Sequence, residues 1–540
     1  MTIFTRMLTI NKILFFCFVA LAFFSCRKDF EKPEWDIDVL APLIKSTLTI
    51  EDLLPDSIVE TNSDTSLKLV YQTNLFDIDM DSIFKIPDTT ITEVYSFPFS
   101  SNSSPGSSFY SSDEERALSI SNGVELNYAL IESGFIEIEI FSEIKENMII
   151  TYTIPSATKN GDTLELQELV PAATISQDGY FITTIDLSGY DLDLSGSTGS
   201  EVNTFITRAV GTVDTNAAGP VTIFAGTKIT YNNKLINLVP SFVRGYFGTQ
   251  QIHFGPDITN TTAFDMIKSG TLDLDQVDVN LEFKNGFGVD AQLILNQFAT
   301  TNTTTSVTNS LTHTSIGTPL NLNRAQLTGG IPEVTYTTYQ LDMNTSNSNI
   351  DQLIEIFPNE LLYDLNLNVN PLGNISGGND FAYKNHSLET DLNIEFPLSM
   401  ISSGLTLQDT VDFNLSQDGD SQNIIDGVLF LYADNGYPFD ANIQLDLYDE
   451  NMNFLQNLTV NNYIKGASVN AALRVVNKKE SVISIPLTEN AISNLYATKK
   501  IVLSIGFTTT AQPQFVKIYQ DYSIDIKIVG DFSYNLNFEE

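Results

Sequence analysis

The chain is 540 residues long and strongly acidic, with 67 Asp and Glu against 27 Lys and Arg and a formal net charge of −40. This charge excludes nucleic acid as a partner, because phosphate backbones are bound through clustered Lys and Arg, and it repels anionic lipid headgroups. Charged residues make up only 17% of the chain, and abundant Thr, Phe, Tyr, Ile and Val favour strands, so the composition predicts an extracellular, mainly β protein.

The first 25 residues have the order of a secretory signal. Arg6 and Lys12 precede an apolar run from Ile13 to Phe24, which is followed by Ser25-Cys26. The run is too short to span a bilayer, which needs about 20 residues, whereas the order of basic, apolar and small residues is typical of a cleaved export signal. We therefore predict a signal peptide at residues 1–25.

The segment Phe23-Phe24-Ser25-Cys26 resembles a bacterial lipobox, and Asp29, Phe30 and Glu31 resemble the export signal of surface lipoproteins of Bacteroidota in its Flavobacterium-type form. The resemblance implies two or three acyl chains, palmitate among them, on Cys26, and a surface-exposed protein anchored in the outer membrane. Two or more chains are needed for stable anchoring. The other cysteine, Cys17, leaves with the signal, so disulfides and thiolate sites are excluded.

Residues 26–61 are predicted to form a lipidated tether, since prolines interrupt them. Trp35, the one tryptophan, is expected to pack the tether against the body or to lie at the headgroup level. Stacking on a ligand is the alternative for this side chain.

Period-two alternation dominates the rest of the chain, as where Ile136, Ile138 and Ile140 alternate with glutamates. Such strands have one dry and one wet face. We predict an elongated multi-domain antiparallel β-sandwich architecture with few short helices, divided into an N-terminal β domain at 62–260 and a C-terminal β region at 261–540.

Helix signals are few. Asn349 and Thr488 are expected to cap helices at Ile350–Phe357 and Glu489–Ala497, and Thr262–Lys268 is a third candidate. The Thr-rich segment Thr300–Ser315 is typical of either a loop or an edge strand. In the last alternating segment, Gly530 indicates a bulge or a bend.

Two stretches of the C-terminal region repeat one pattern: a strand, Asn-Gly, an aromatic residue, Asp-Ala and a second strand. Asn285-Gly286-Phe287 lies in the first and Asn435-Gly436-Tyr437 in the second. Asn-Gly is a strong turn signal because it tolerates positive φ. We predict two related hairpin modules, at about 271–300 and 425–460. They resemble units of elongated β-rich Bacteroidota lipoproteins and, more distantly, of lipid-binding tubular folds.

The residues show no catalytic pattern. His253, His313 and His386 are more than 50 residues apart, and none forms a metal-ligand pair, so we predict structural roles for them. Gly419-Asp420-Ser421 resembles the GDS block of lipolytic hydrolases, but it lies in a polar turn and no histidine follows His386 to complete that family's Asp-x-x-His motif. We therefore expect no catalytic residue, no enzyme activity and no cofactor besides the lipid.

Asp77, Asp79 and Asp81 share one face of an extended strand, which indicates a solvated face. Incidental calcium binding is the alternative, because clustered hard oxygens suit Ca²⁺. A regular EF-hand is rejected, since Ser82 and Asp88 replace the glycine and glutamate that such a loop requires.

Five Asp-Ser or Asp-Thr steps resemble the O-glycosylation acceptor of Bacteroidota, and we predict that at least one is occupied. Their hydroxyl-bearing residues are Ser57, Ser82, Thr89, Thr163 and Thr410.

These patterns together predict a non-catalytic surface lipoprotein that is a scaffold or accessory subunit of an outer-membrane protein assembly, export or uptake complex. Its expected partners are an outer-membrane β-barrel or other surface lipoproteins, and its contact with the membrane runs through the lipid on Cys26. The alternatives are a glycan-binding lipoprotein of a nutrient-uptake system and a tubular lipid-binding protein.

Overall fold

The computed structural model describes residues 35–49, 58–262, 264, 267–328, 333–415 and 424–536. Strands account for 61% and helices for 4% of the structure, which confirms a mainly β fold with few helices. The predictions for the signal peptide, Cys26, Asp29, Phe30 and Glu31 lie outside the described residues, as do those for Ser57 and the GDS block.

Two groups of strands follow each other along the chain. Up to residue 260 the strands are β1 (Trp35–Leu48), β2 (Val59–Thr61), β3 (Leu67–Ile78), β4 (Thr89–Ser96), β5 (Ser101–Ser103), β6 (Ser108–Ala117), β7 (Glu125–Ser142), β8 (Met148–Lys159), β9 (Asp162–Val170), β10 (Gly179–Asp186), β11 (Asp191–Asp193), β12 (Thr204–Val213), β13 (Val221–Ile223), β14 (Lys228–Tyr246) and β15 (Gln250–Asn260). Beyond it they are β16 (Ile267–Leu274), β17 (Asp278–Asn285), β18 (Ala291–Asn302), β19 (Val307–Ser310), β20 (Pro319–Leu322), β21 (Gln326–Leu327), β22 (Val334–Thr335), β23 (Thr337–Asn344), β24 (Glu360–Val369), β25 (Asp380–Tyr383), β26 (Leu388–Pro397), β27 (Ser399–Asp412), β28 (Ile424–Asn435), β29 (Phe439–Tyr448), β30 (Phe454–Leu458), β31 (Lys479–Pro486), β32 (Lys500–Thr509), β33 (Val516–Lys517) and β34 (Ile524–Leu536).

The N-terminal sheet contains ten strands in the order β25-β14-β7-β11-β8-β12-β6, with β10 on β7, β4 on β14 and β9 on β8. Its longest pairing joins β7 and β14, where Ile136 and Ile138 oppose Leu235 and Asn233. Ile136, Ile138 and Ile140 are fully buried, as their alternation with glutamates predicts.

Four further sheets form two sandwiches, whose buried faces share one hydrophobic core. The first sandwich consists of the sheets β2-β3-β26-β17-β23 and β15-β24-β18-β19, with β20 on β18. The second consists of β1-β34-β28-β31 and β16-β27-β32-β29-β30, with β33 on β27. The order β3-β26-β17-β23 matches β1-β34-β28-β31, and β15-β24-β18-β19 matches β27-β32-β29-β30, so the two sandwiches repeat one topology.

The two Asn-Gly turns occupy equivalent places in this repeat, but they are not hairpins. β17 pairs with β23 and β26, whereas β18 pairs with β24, β19 and β20. Likewise β28 pairs with β31 and β34, and β29 with β30 and β32. Each turn is therefore an arch that carries the chain from one sheet of a sandwich to the other, and the prediction of hairpin modules was wrong in this respect.

The arches match in detail. Gly286 donates its amide hydrogen to the Ser387 carbonyl at 2.9 Å, and Gly436 donates to the Ser523 carbonyl at 2.8 Å. A Cβ atom on either glycine would stand 2.7 Å from that same oxygen. Glycine is thus required by the close approach of a neighbouring strand's backbone, which explains why the Asn-Gly signal is present at an arch.

The strand that completes the second sandwich comes from the predicted tether. β1 pairs with β34 along its length, from Trp35 opposite Leu536 to Leu48 opposite Ile524, with a register shift between Pro42 and Ile44. The domain division near residue 260 stays a prediction, and the pairings of β3 with β26 and of β15 with β24 cross it.

Two predicted helices are present, at Ile350–Glu355 and Glu489–Ala497. Thr488 accepts a hydrogen bond from the Ala491 amide at 3.2 Å and caps the second helix. Asn349 precedes the first helix without capping it, because its side chain instead accepts from Thr312 and donates to Ser310.

The strands bear on three other predictions. The predicted helix at Thr262–Lys268 is not helical at its C-terminal end, because β16 begins at Ile267. The Thr-rich segment contributes β19 as an edge strand. Gly530 opposes Leu429 without a register shift, so the predicted bulge in β34 was wrong, while the alternative of a bend stays a prediction. The ring of Phe532 lies 2.2 Å from where a Cβ atom of residue 530 would stand, so the glycine makes room for this ring.

Candidate functional site

The outer face of the sheet β1-β34-β28-β31 carries large apolar side chains towards solvent. In the strand register, Tyr432 stands between Val482 and Lys527, and Phe430 stands between Ser484 and Val529. We call this surface the apolar sheet face, and it comprises Leu40, Pro42, Val428, Phe430, Tyr432, Val482 and Pro486 around the buried Val529.

Several of these side chains are well exposed. Leu40 is 70% exposed, Val482 60% and Tyr432 43%. The rings of Phe430 and Tyr432 lie side by side on β28, with centroids 6.4 Å apart. A contiguous exposed apolar patch on a polar surface marks an interaction site more often than scattered single residues do.

The opposite sides of the same strands build the core. Leu429, Leu431, Ile483 and Ile528 are buried, so β28 is apolar on both faces. A strand of this kind is typical of a sheet covered on both sides, and the structure covers it on one side only within the described residues.

Charged groups lie around the apolar centre. Asp525 receives hydrogen bonds from Lys478 at 2.7 Å and Thr47 at 2.6 Å, and this ammonium and hydroxyl hold the pKa of its carboxyl below the ordinary value. In the strand register, Lys527 lies next to Tyr432, and Lys45 lies next to Lys527 on the following strand.

Acids outnumber these lysines at the margin of the face. The strand register places Asp38, Asp434, Glu480, Asp525 and Asp531 there. The surroundings of the apolar centre are therefore acidic on balance, as is the chain.

The first sandwich provides a matched surface, on the sheet β3-β26-β17-β23. Counted from the arch, Asn280 takes the place of Phe430, and Glu282 takes that of Tyr432. Counted along the paired edge strand, Gln340 takes the place of Val482. We call this surface the polar sheet face. Three apolar side chains of one sandwich are thus polar in the other, at positions with the same backbone environment.

Hydrogen bonds and ion pairs satisfy the polar sheet face. Lys284 pairs with Asp391 at 2.6 Å, and Lys68 pairs with Glu395 at 2.9 Å. Asn280 donates to Asp342 at 2.7 Å. A surface whose polar groups are paired with each other and with water is the ordinary solvated face of an antiparallel sheet.

Sequence reasoning missed the apolar sheet face, although a signal was present. The segment Val428-Leu429-Phe430-Leu431-Tyr432 is continuously apolar, whereas the equivalent segment Asp278-Val279-Asn280-Leu281-Glu282 alternates. A short continuous apolar run in a β protein predicts a strand covered on both faces, and aligning the repeat shows where this happens.

The residues predicted as glycosylation sites do not come together. Ser82 is exposed and donates to Asp79 at 2.7 Å, and Thr89 is half-buried and donates to the Pro87 carbonyl at 3.0 Å. Thr163 on β9 and Thr410 on β27 are exposed. Modification of these hydroxyls stays a prediction.

The aspartates proposed for calcium are used in part by the fold. Asp79 caps the 3₁₀ turn Met80–Ser82 by accepting a hydrogen bond from the Ser82 amide. Asp77 accepts a hydrogen bond from the Asn74 side chain at 2.9 Å. Among the described residues, no group of three or more His, Cys, Asp or Glu side chains is arranged to hold a metal ion.

The histidines are also separate. His253 is exposed, with Nδ1 3.0 Å from Asn366, and His313 lies 2.7 Å from Ser315. His386 stacks on Tyr336 and meets Tyr383 edge-on. Each ring has local contacts of its own, and the structural roles of the histidines stay a prediction.

Comparison with known proteins gives little beyond this geometry. No protein-family model matches the chain, and no curated protein matches it significantly. Among solved structures, the chain is similar to a protein from Parabacteroides distasonis thought to be secreted, with a TM-score of 0.27 and 11% identity over 91% of this chain and 99% of the other. A TM-score this low carries no argument about fold or function. In the described part of the chain, no helix has the length and apolar character to cross a membrane.

Proposed function

We propose that the protein is a non-catalytic lipoprotein of the outer-membrane surface that serves as an accessory subunit, docking a membrane-associated protein on its apolar sheet face. The observation that carries the proposal is the difference between the two sandwiches. Exposed Tyr432 and Val482 stand where the repeat elsewhere has Glu282 and Gln340, and exposed aromatic side chains are enriched in interface centres.

The position of β1 supports a partner at the membrane. This edge strand belongs to the docking sheet and begins at Trp35, nine residues after Cys26. Nine residues span at most about 30 Å. If Cys26 bears the predicted lipid, the Trp35 end of this sheet is held within that distance of the bilayer, which places the sheet near a β-barrel or another lipoprotein of the membrane.

Charge indicates the chemistry of the partner. The acidic margin of the face and the net charge of −40 repel both an anionic lipid surface and a second copy of the chain. The proposed occupant is therefore a protein surface with an apolar centre and Lys or Arg around it, which this margin would attract.

The test replaces the apolar sheet face with its own counterpart. The triple variant Phe430→Asn, Tyr432→Glu, Val482→Gln carries the residues that the first sandwich has at equivalent positions, so the backbone should accept them. We expect cross-linking and co-purification from cells to recover a membrane-associated protein with the natural chain and at least about tenfold less of it with the variant, because interface centres supply most binding energy.

The matched control is Glu282→Gln, Gln340→Ala on the polar sheet face, which should leave recovery unchanged. Equal recovery with the triple variant would contradict the proposal. Recovery of lipid alone, or of a second copy alone, would assign the face to a different occupant and contradict it as well.

A further inference from the structure

A deep cavity of about 150 Å³ lies where the two sandwiches meet. Strands of three sheets line it: β3 and β26 from one sheet, β15 and β24 from a second, and β27 and β32 from a third. The arch of the second sandwich adds Tyr437 and Phe439 to one end. None of its lining residues belongs to the apolar sheet face, which lies on the sheet β1-β34-β28-β31.

Aliphatic and aromatic side chains form nearly all of the wall. Leu69, Leu75, Leu361, Leu392 and Phe396 are buried around it. An apolar cavity of this size stays dry and takes up small apolar molecules.

Two hydroxyl groups of the wall have acceptors in the protein. Thr73 donates to the Asn74 carbonyl at 3.2 Å and Thr300 to the Leu353 carbonyl at 2.7 Å. The Ser402 hydroxyl lies 3.4 Å from that of Thr509. Because the rest of the wall is mainly aliphatic and aromatic, the interior offers a ligand contact area more than hydrogen bonds, which suits a hydrocarbon chain.

Two polar residues of the lining lie at one side of the cavity. Asn260 is exposed and Glu360 half-buried, and these two residues are paired across β15 and β24. Ile58 and Phe264 nearby are half-buried, so the cavity reaches the surface here. A carboxylate at the mouth repels an anionic headgroup and accepts hydrogen bonds from a hydroxyl or an ammonium group.

We propose that this cavity is a binding site for a single short hydrocarbon chain bearing an uncharged or cationic head, such as hexanol or hexylamine, with the chain among the sandwich strands and the head at Asn260 and Glu360. The site is independent of the docking proposal, because it uses the inner faces of the strands.

The experiment titrates 1-hexanol, hexylamine and hexanoate into the full chain carrying Cys26→Ser, which needs no detergent, and follows binding by calorimetry. We expect hexanol and hexylamine to bind with one site per chain, and hexanoate to bind more weakly. Absence of saturable hexanol binding would overturn the proposal.

Two substitutions on β3 form a matched pair. Thr73→Trp fills the cavity and should lower hexanol affinity at least about tenfold, since a closely packed site has no room for both groups. Gln72 is exposed on the opposite face of the same strand, and Gln72→Trp should leave the affinity unchanged. Equal losses in the two variants would contradict the site.

Thr73→Leu serves as a milder filling variant if circular dichroism shows that Thr73→Trp does not fold, and it should lower affinity by an intermediate amount. The head is tested by Glu360→Gln, which should raise hexanoate affinity and leave hexanol affinity unchanged. A Glu360→Gln variant with unaltered preference for hexanol over hexanoate would overturn the placement of the head.

Discussion

The two sandwiches follow one topology but present different surfaces. Their arches bury the same Asn-Gly step against a neighbouring strand, while the outer faces carry Glu282 in one and Tyr432 in the other. The buried pattern is kept because backbone approach and packing constrain it, whereas an outer face changes at little cost to the fold. The exchange of polar for apolar side chains on that face therefore indicates a role outside the fold.

The largest stability effect is expected at the arches. Asn435 is fully buried and makes three hydrogen bonds, accepting from Tyr437 at 2.9 Å and donating to Phe439 and Lys465 at 2.9 and 3.1 Å. Asn435→Ala should lower the free energy of unfolding by about 3 kcal/mol, because it leaves buried backbone groups unpaired. Denaturant titration measures this loss.

The first arch allows the same substitution to be compared at the equivalent position. Asn285 accepts from Phe287 at 3.0 Å and donates to Asn323 at 2.8 Å, so Asn285→Ala should cost about 2 kcal/mol, one hydrogen bond less. A negligible effect of both substitutions would show that the arches do not fix the sandwiches.

A smaller effect is expected at Gly530, where the second sandwich departs from the first, which has Ile394 at the equivalent register position. Gly530→Ala places a Cβ atom 2.2 Å from the Phe532 ring and should cost about 1 to 3 kcal/mol through overpacking. The double variant with Phe532→Leu should recover part of this loss, and additive losses would argue against the contact.

These variants also show how far the sequence predicts the structure. Alternation predicts strands, and Thr488 predicts a helix start, because both signals act within a few residues. Asn-Gly predicts a turn, but it does not predict how the two flanking strands pair. In a hairpin they pair with each other, whereas in these arches each pairs with strands that lie about 40 to 100 residues away, such as β26 and β34. The apolar sheet face became recognisable only when Phe430 and Asn280 were placed at one position of a repeat.

The smallest effects concern the ion pairs of the two outer faces. Asp391 holds the pKa of Lys284 above its ordinary value, so this pair stabilises the fold below pH 10.5 and the contribution is lost as pH rises further. Lys478 lowers the pKa of Asp525, so that pair stabilises the fold above pH 3.8 and is lost as pH falls further.

Lys284→Ala should therefore lower the free energy of unfolding by less than about 1 kcal/mol at neutral pH, since both partners are partly exposed. It should also reduce the loss of stability that the natural chain shows as pH rises above 10.5. Lys478→Ala should do the same on the acidic side. Unfolding curves across pH measure both, and a shift on the same side for the two variants would contradict the assignment.

The central claim is that the second sandwich, and not the first, docks a partner. Site-specific photocross-linking in cells tests it most directly, with the photoreactive residue placed at position 432 in one strain and at 282 in another. We predict an adduct with a membrane-associated protein at position 432 and none at 282. Adducts at both positions, or at neither, would contradict it.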